Sequence, residues 1–193
     1  MTISLGAVDV RPATPADRPV VERLWLMFRH DLSEFRNGGV SQLPLADGTF
    51  RSERVAAAFG GSGGGGDWAP YLFWGGGHPV GFAFVRGIGG ATRVLNSFFV
   101  VRGARRGGVG MRAVRDVVAR YPGAWEVAFQ DVNPGAWKVA FQDVNPGAVA
   151  FWRRVGEELA PGEWSEERRP VPGRAGLPPD VWISFAYGSA VER

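Results

Sequence analysis

Apolar and polar residues alternate along Val8-Asp9-Val10-Arg11-Pro12, the period-2 pattern of a short strand. The period changes at Thr14-Pro15-Ala16-Asp17. A capping threonine, a proline at the first helical position and an acid three residues after the cap predict a helix start. Val20, Val21, Leu24, Trp25, Phe28 and Leu32 then share one face of a helix running to about residue 35. A polar loop and a short helix over 51–59 follow, and the glycine-dominated stretch 60–66 reads as a flexible connector. Apolar runs at 71–74 and 80–85 predict a hairpin across 75–79, and the run 94–101 predicts another strand. An amphipathic helix is expected over 109–121, then a strand, a helix over 147–159 and two late strands near 163–169 and 181–187. Pro170, Pro172, Pro178 and Pro179 stiffen the loop between those last two. The expected order is β-α-α-β-β-β-α-β-α-β-β.

The strand after the 109–121 helix is written twice. Gly123-Ala124-Trp125-Glu126-Val127-Ala128-Phe129-Gln130-Asp131-Val132-Asn133-Pro134 is followed directly by a second copy, residues 135–146, in which only Lys138 differs, from Glu126. Two copies are too few for a solenoid, so the plain reading is a tandem duplication of one strand and its turn. The repeat length is even, so both copies present the same side chains to the same face of a sheet. Either copy therefore suits the single fifth-strand position. The second is favoured here, because Asn145 leads directly from it into the next helix. The spare copy is left to form an extra edge, to pack as a helix or to pair with another subunit, which makes a homodimer a secondary expectation.

Composition narrows the class. A chain of 193 residues, 45% apolar and 12% aromatic, suits one globular domain with a sizeable core. There is no cysteine, which rules out disulfides and thiolate catalysis and favours a cytoplasmic setting. No signal peptide and no apolar stretch of membrane-spanning length is expected. A net charge of +3 does not argue for nucleic acid. The two histidines, His30 and His78, fall in different elements and read as surface residues, so no metal site is expected. Arg153, Arg154, Arg168 and Arg169 read as a solvated surface, whereas Arg102, Arg105, Arg106, Arg112 and Arg115 cluster where phosphate would account for them.

That cluster surrounds the most informative segment. The strand 94–101 feeds Arg105-Arg106-Gly107-Gly108-Val109-Gly110-Met111 and then a helix. Glycines let the backbone approach an anion, and first-turn N–H groups and the helix dipole point at it. No Lys-Ser/Thr closes the turn and the spacing is not Gly-x-Gly-x-x-Gly, which excludes two common nucleotide loops. The remaining string, Arg-x-x-Gly-x-Gly between strand and helix, resembles the acetyl-CoA signature of the GCN5-related N-acetyltransferase (GNAT) superfamily. Downstream, Asn145-Pro146-Gly147-Ala148-Val149-Ala150-Phe151-Trp152-Arg153-Arg154-Val155-Gly156 resembles the other half of that signature. The element order agrees over roughly residues 8–187.

The resemblance implies an α/β, GNAT-like acyl-CoA N-acyltransferase fold, a mixed and mostly antiparallel sheet flanked by helices, with the repeat as a duplicated fifth-strand segment. It implies acetyl-CoA as cosubstrate and direct attack of a primary amine on the thioester. The fourth and fifth strands would splay, and backbone groups of Phe99, Val100 and Val101 would bond the pantetheine arm. The N–H groups from Arg106 through Gly107, Gly108, Val109 and Gly110 to Met111 would cradle the pyrophosphate, with Arg105 and Arg106 near it and Asn145 on the far side. Many members carry a glutamate base on the fourth strand and a tyrosine acid in the helix after the asparagine. This chain has Asn96-Ser97-Phe98-Phe99 and Trp152 at those places, so the catalytic residues stay unassigned. Asp31 and Glu34 either hold an amine or form a solvated helix face, the second being favoured. Asn96, Ser97 and Gln142 are candidates to orient an acceptor or a water, and Tyr187 reads as core.

The expected acceptor is a small-molecule amine, with a protein N-terminus or lysine second. No nucleic-acid or membrane partner is expected. A catalytically silent acyl-CoA-binding or regulatory module is the alternative, and a nucleic-acid-binding protein ranks last.

Overall fold

The computed structural model describes residues 6–34, 43–60, 66–128, 131–133, 137–139, 145–170 and 180–188, with 125–128, 131–133, 137–139 and 180 as backbone. The strands are β1 (Val8–Pro12), β2 (Trp68–Gly75), β3 (His78–Arg86), β4 (Thr92–Val100), β5 (Gly123–Ala128), β6 (Asp131–Asn133), β7 (Trp137–Val139), β8 (Ser165–Arg169) and β9 (Asp180–Tyr187). The helices are α1 (Arg18–Ser33), α2 (Glu53–Ala58), α3 (Val109–Val118) and α4 (Pro146–Leu159). Seven strands form one sheet in the order β1-β2-β3-β4-β5-β9-β8, while β6 and β7 pair with each other. Every neighbouring pair in the large sheet is antiparallel except β4 and β5.

Local sequence accounts for the first half. The Asp17 carboxylate accepts from the Thr14 backbone N–H at 2.9 Å and from its hydroxyl at 2.8 Å, closing a 3-10 turn, Pro15–Asp17, that runs into α1. Those bonds hold the Asp17 carboxyl below its ordinary value of 3.8. The contribution of Asp17 to stability is therefore complete above that pH and is lost as pH falls through the lowered folded value. Asp17→Ala is expected to cost about 1 kcal/mol at neutral pH, as a lost helix cap does, with the difference from wild type vanishing in strong acid. Denaturant melts at the two pH values check both statements.

The hairpin turn is tighter than the glycine run suggests. Gly76 and Gly77 adopt φ of 59° and 79°, and so make a two-residue connection, with both strands extending to meet it. Val21, Leu24 and Trp25 of α1 pack with Val55 of α2 on Leu72, Phe82, Phe84 and Phe99 on one sheet face. The opposite face carries α3 and α4, whose Val114, Val117, Val118, Trp152 and Val155 cover Tyr71, Phe73, Val85, Leu95 and Ile183. Tyr187 packs partly buried against this second layer. The glycine connector 61–65, Pro172, Pro178 and Pro179 lie outside the described residues. Among the described residues, no helix is long and apolar enough to cross a membrane.

The expectation that the second copy of the repeat fills the sheet is overturned. Residues 123–128, from the first copy, form β5 between β4 and β9, and Trp137–Val139 of the second copy pair instead with Asp131–Asn133. The two connections to α3 and α4 offset each other, since moving the spare residues shortens one link and lengthens the other. The hairpin breaks the tie. The tail of the first copy, Asp131–Asn133, pairs with the head of the second, Trp137–Val139, and these backbone groups pair only while the second copy is outside the sheet.

Candidate functional site

β4 sets the geometry. Its register on β3 runs Gly81 to Val100, Phe82 to Phe99, Ala83 to Phe98 and Phe84 to Ser97, and then jumps to Val85 opposite Leu95. Asn96 is thus an extra residue, a bulge that resets which side chains face which layer. Leu95 and Val100 both pack with α3 and α4, although strict alternation would separate them. Among the described residues, β5 pairs with β4 only at Thr92 to Leu95, through Ala124 to Val127. Among the described residues, β4 from 96 to 100 has a partner on the β3 side alone.

The ladder decides which peptide groups face the open side. The Val101 N–H bonds the Val80 carbonyl at 2.9 Å, and the Val101 carbonyl accepts from the Ala104 N–H at 2.9 Å. The Val101 N–H, expected from the sequence to bond the cofactor, is thus bonded to β3, and its carbonyl already accepts one bond from the turn that follows. By the alternation of antiparallel pairs, Phe99 also turns its peptide groups to β3, while Phe98 and Val100 turn theirs outward. The outward turn of Phe98 has no counterpart in the sequence reading, because the bulge that governs this parity leaves no signal in the residue pattern.

The glycine turn stands at the same end of β4. Gly108 caps α3 with φ of 79°, and a side chain added there would meet nothing within 4 Å. The first intrahelical bond runs from the Arg112 N–H to the Gly108 carbonyl at 3.0 Å, so the N–H groups of Val109, Gly110 and Met111 lie before it, at the helix mouth. Arg106 is a non-glycine residue with left-handed φ, 69°. Gly110 sits against α4: an added Cβ would stand 3.2 Å from the Phe151 ring.

The arginines divide into two groups. Arg102 donates to Asp31 at 2.9 Å and to Glu34 at 3.0 Å. Arg105 pairs with Asp31 and also donates from Nε to the outward-facing Val100 carbonyl at 2.7 Å, its guanidinium 5.6 Å from the centre of the Phe99 ring. Arg115 pairs with Glu158. Arg102 and Arg115, grouped from sequence with a phosphate, are thus engaged by carboxylates, and Arg106 and Arg112 are the exposed members with no ion pair among the described residues. Asp31 and Glu34 form a paired helix face and do not project as an amine-holding pair.

Asn145 caps α4, its side-chain oxygen accepting the Ala148 N–H at 3.0 Å. Trp152 is buried, with Phe98 5.4 Å and Phe151 4.8 Å from it between ring centres, so it serves the core and offers no acidic proton to a thiolate. Asn96 and Ser97 are buried at the bulge. Arg54 of α2 donates to the Asn96 carbonyl at 3.1 Å and to the Ser97 hydroxyl at 3.2 Å. No sequence signal marked Arg54, because nothing local ties α2 to β4. Among the described residues, no carboxylate is hydrogen-bonded to Asn96 or Ser97. Gln142 lies outside the described residues. His30 and His78 are exposed, and among the described residues no cluster suits a metal ion. Arg153 and Arg154 are exposed and pair with Glu166 and Glu158, and Arg168 is exposed; Arg169 is half-buried over Trp182.

A mostly antiparallel sheet of seven strands with one parallel pair, flanked by helices, is the fold of solved acetyltransferases of the GNAT family. Solved structures carry that likeness across the chain. An acetyltransferase from Thermus thermophilus matches over 95% of this chain and 99% of its own, with a TM-score of 0.60 at 16% identity. The ribosomal-protein-S18-alanine N-acetyltransferase of Escherichia coli matches over 97% and 98%, with a TM-score of 0.57 at 12% identity. Spermidine N-acetyltransferase from Vibrio cholerae, solved with CoA and spermine, matches over 93% and 95%, with a TM-score of 0.55 at 12% identity. At these identities the likeness establishes the fold. No protein-family model and no curated protein matches the sequence.

Proposed function

We propose that the protein is an N-acetyltransferase that binds acetyl-CoA and transfers its acetyl group directly to a primary amine. The observation that carries this reading is the end of the described β4–β5 pairing at Leu95 and Val127, at the same end of β4 as the Gly108-led mouth of α3. In this reading the pyrophosphate lies on the N–H groups from Arg106 to Met111, with Arg105, Arg106 and Arg112 adding charge. The pantetheine arm extends along β4 like an added strand and bonds the outward peptide groups of Phe98 and the Val100 N–H, the Val100 carbonyl being held by Arg105, whose guanidinium lies over Phe99. Asn145 and the start of α4 flank it. The acetyl group then points towards Asn96 and Ser97, where the strands rejoin. The amine nitrogen attacks the thioester carbonyl, the new C–N bond forms as the C–S bond breaks, the nitrogen loses a proton and the thiolate gains one. Orientation of the two reactants supplies much of the rate, up to about 7–11 kcal/mol of barrier.

The acceptor is read as a small-molecule amine. A protein N-terminus is the second choice, since the structural neighbours include enzymes named for each kind. We further read the chain as one cytoplasmic domain, its repeat as a tandem duplication and a homodimer as its assembly. Calorimetric titration with acetyl-CoA, coenzyme A and desulfo-coenzyme A tests the reading, and saturable binding near one cofactor per chain is the expected result. A well-folded protein that binds none of them overturns it. Binding without turnover across an amine screen would favour a silent acyl-CoA-binding module, a reading supported by the lack of a carboxylate hydrogen-bonded to Asn96 or Ser97 among the described residues.

Asp31 is expected to oppose the cofactor. It holds Arg105 against the Val100 carbonyl and places negative charge beside the proposed pyrophosphate position. Asp31→Asn is predicted to tighten coenzyme A binding about threefold at low salt, the scale of one partly screened surface charge, with the gain shrinking as salt rises. Weaker binding in the variant would assign Asp31 the opposite role, that of setting Arg105 in place.

A further inference from the structure

We propose that the fifth-strand position exchanges between the two copies of the repeat, so that the chain populates two sheet registers twelve residues apart, of which the structure shows one. Four observations lead there, and none depends on the acetyltransferase reading.

The competing strands are chemically almost the same. Eleven of twelve positions are identical, and the one difference puts Glu126 opposite Val94 on β4 and Ser184 on β9, where the other register would put Lys138. The shift is even, so it keeps the pleat and returns each residue type to its face, whereas a one-residue slip would invert every side chain. The connections are also interchangeable. α3 ends at Val118 and β5 begins at Gly123, while α4 begins at Pro146. Moving the second copy into the sheet transfers twelve residues from the link after β5 to the link before it, and neither helix needs to move. The device that selects the observed register is slight: β6 and β7 are three residues each, and a two-stranded hairpin of that size is marginal on its own.

The two registers differ where it matters for the site. In the observed one, Asn133 stands at the offset from the strand that Asn145 would hold in the other, and the spare residues lie between β5 and α4. In the second register Asn145 and α4 follow the strand directly, and the spare residues lie between α3 and β5. Exchange requires β5 to leave both neighbours, so it is a slow local opening and not a fast fluctuation. With near-equal strands, the lesser register is expected at about 1–10%.

Proline scanning tests the proposal through the backbone alone. A proline within a strand paired on both sides, as Val127 is by Leu95 and Ile183, disrupts the ladder and is not tolerated there. Val127→Pro and Val139→Pro are each expected to fold, with a cooperative melt and wild-type far-UV circular dichroism, because the intact copy takes the position. The double variant is expected to be unfolded. Deletion of residues 123–134 is expected to fold and to give one set of indole N–H signals, where the full chain gives a second, weaker set. An unfolded Val127→Pro beside an unaffected Val139→Pro would overturn the proposal, as would failure of the deletion variant to fold. A single indole set in the full chain, unchanged by either proline, would overturn it as well.

Discussion

Gly108→Glu is expected to weaken acetyl-CoA binding at least about 100-fold, roughly 2.7 kcal/mol, in a protein that remains folded. Two effects add at this position. The residue caps α3 at φ of 79°, a conformation that costs a side-chain-bearing residue about 1–2 kcal/mol. The carboxylate would also stand at a helix mouth whose dipole and N–H groups favour an anion, and so would compete with the pyrophosphate for the same donors. Global stability should fall only modestly, because a side chain there meets nothing within 4 Å. Gly108→Asn is the informative partner, since asparagine tolerates the left-handed conformation and brings no charge. It should retain binding within about tenfold of wild type, an affinity loss no larger than the conformational cost. Calorimetry on both variants, beside a thermal melt, separates charge from strain. Equal affinity for wild type and Gly108→Glu would remove the α3 mouth from the site.

Gly81→Val is expected to be more destabilising than any of the other single substitutions, by about 3 kcal/mol or more, at the upper end for overpacking. A Cβ at Gly81 would lie 2.2 Å from the Phe99 carbonyl oxygen and 2.7 Å from the Phe73 ring. The first of these is backbone in the next strand, which cannot rotate away. Relief would require β3 and β4 to separate just where Gly81 faces Val100 across the ladder. For a chain of this size the melting temperature should drop about 6–12 °C, and the substitution should weaken cofactor binding as well, since it deforms the strand proposed to hold the pantetheine. A melt within a degree or two of wild type would show that the ladder is less closely packed at Gly81 than its geometry indicates.

The proposed site was partly legible in the residue order, and the reasons for success and failure are physical. The Thr14-Pro15-Ala16-Asp17 start, the α1 face from Val21 to Trp25, the glycine hairpin and the α3 mouth all rest on interactions between residues close in the chain. Capping, helical periodicity and the tolerance of glycine for left-handed backbone act over a few residues, so the pattern records them. The Asn145 cap of α4 belongs to the same class. The bulge at Asn96 does not, because it exists only in the pairing of β4 with β3, and it sets the parity by which Phe98 and Val100 turn outward and Phe99 and Val101 face β3. Arg54 at the bulge, and Asp31 holding Arg102 and Arg105, join residues far apart in sequence whose charges give no indication of their partners.

The repeat marks the boundary most sharply. Local pattern could establish that 123–134 and 135–146 are equally fit strands, because fitness for a pleated surface is a property of the twelve residues themselves. It could not choose between them. That choice depends on long-range pairing with β4 and β9 and on a small hairpin that forms only when one copy is left out, energies that belong to the assembled sheet and to no segment of the chain.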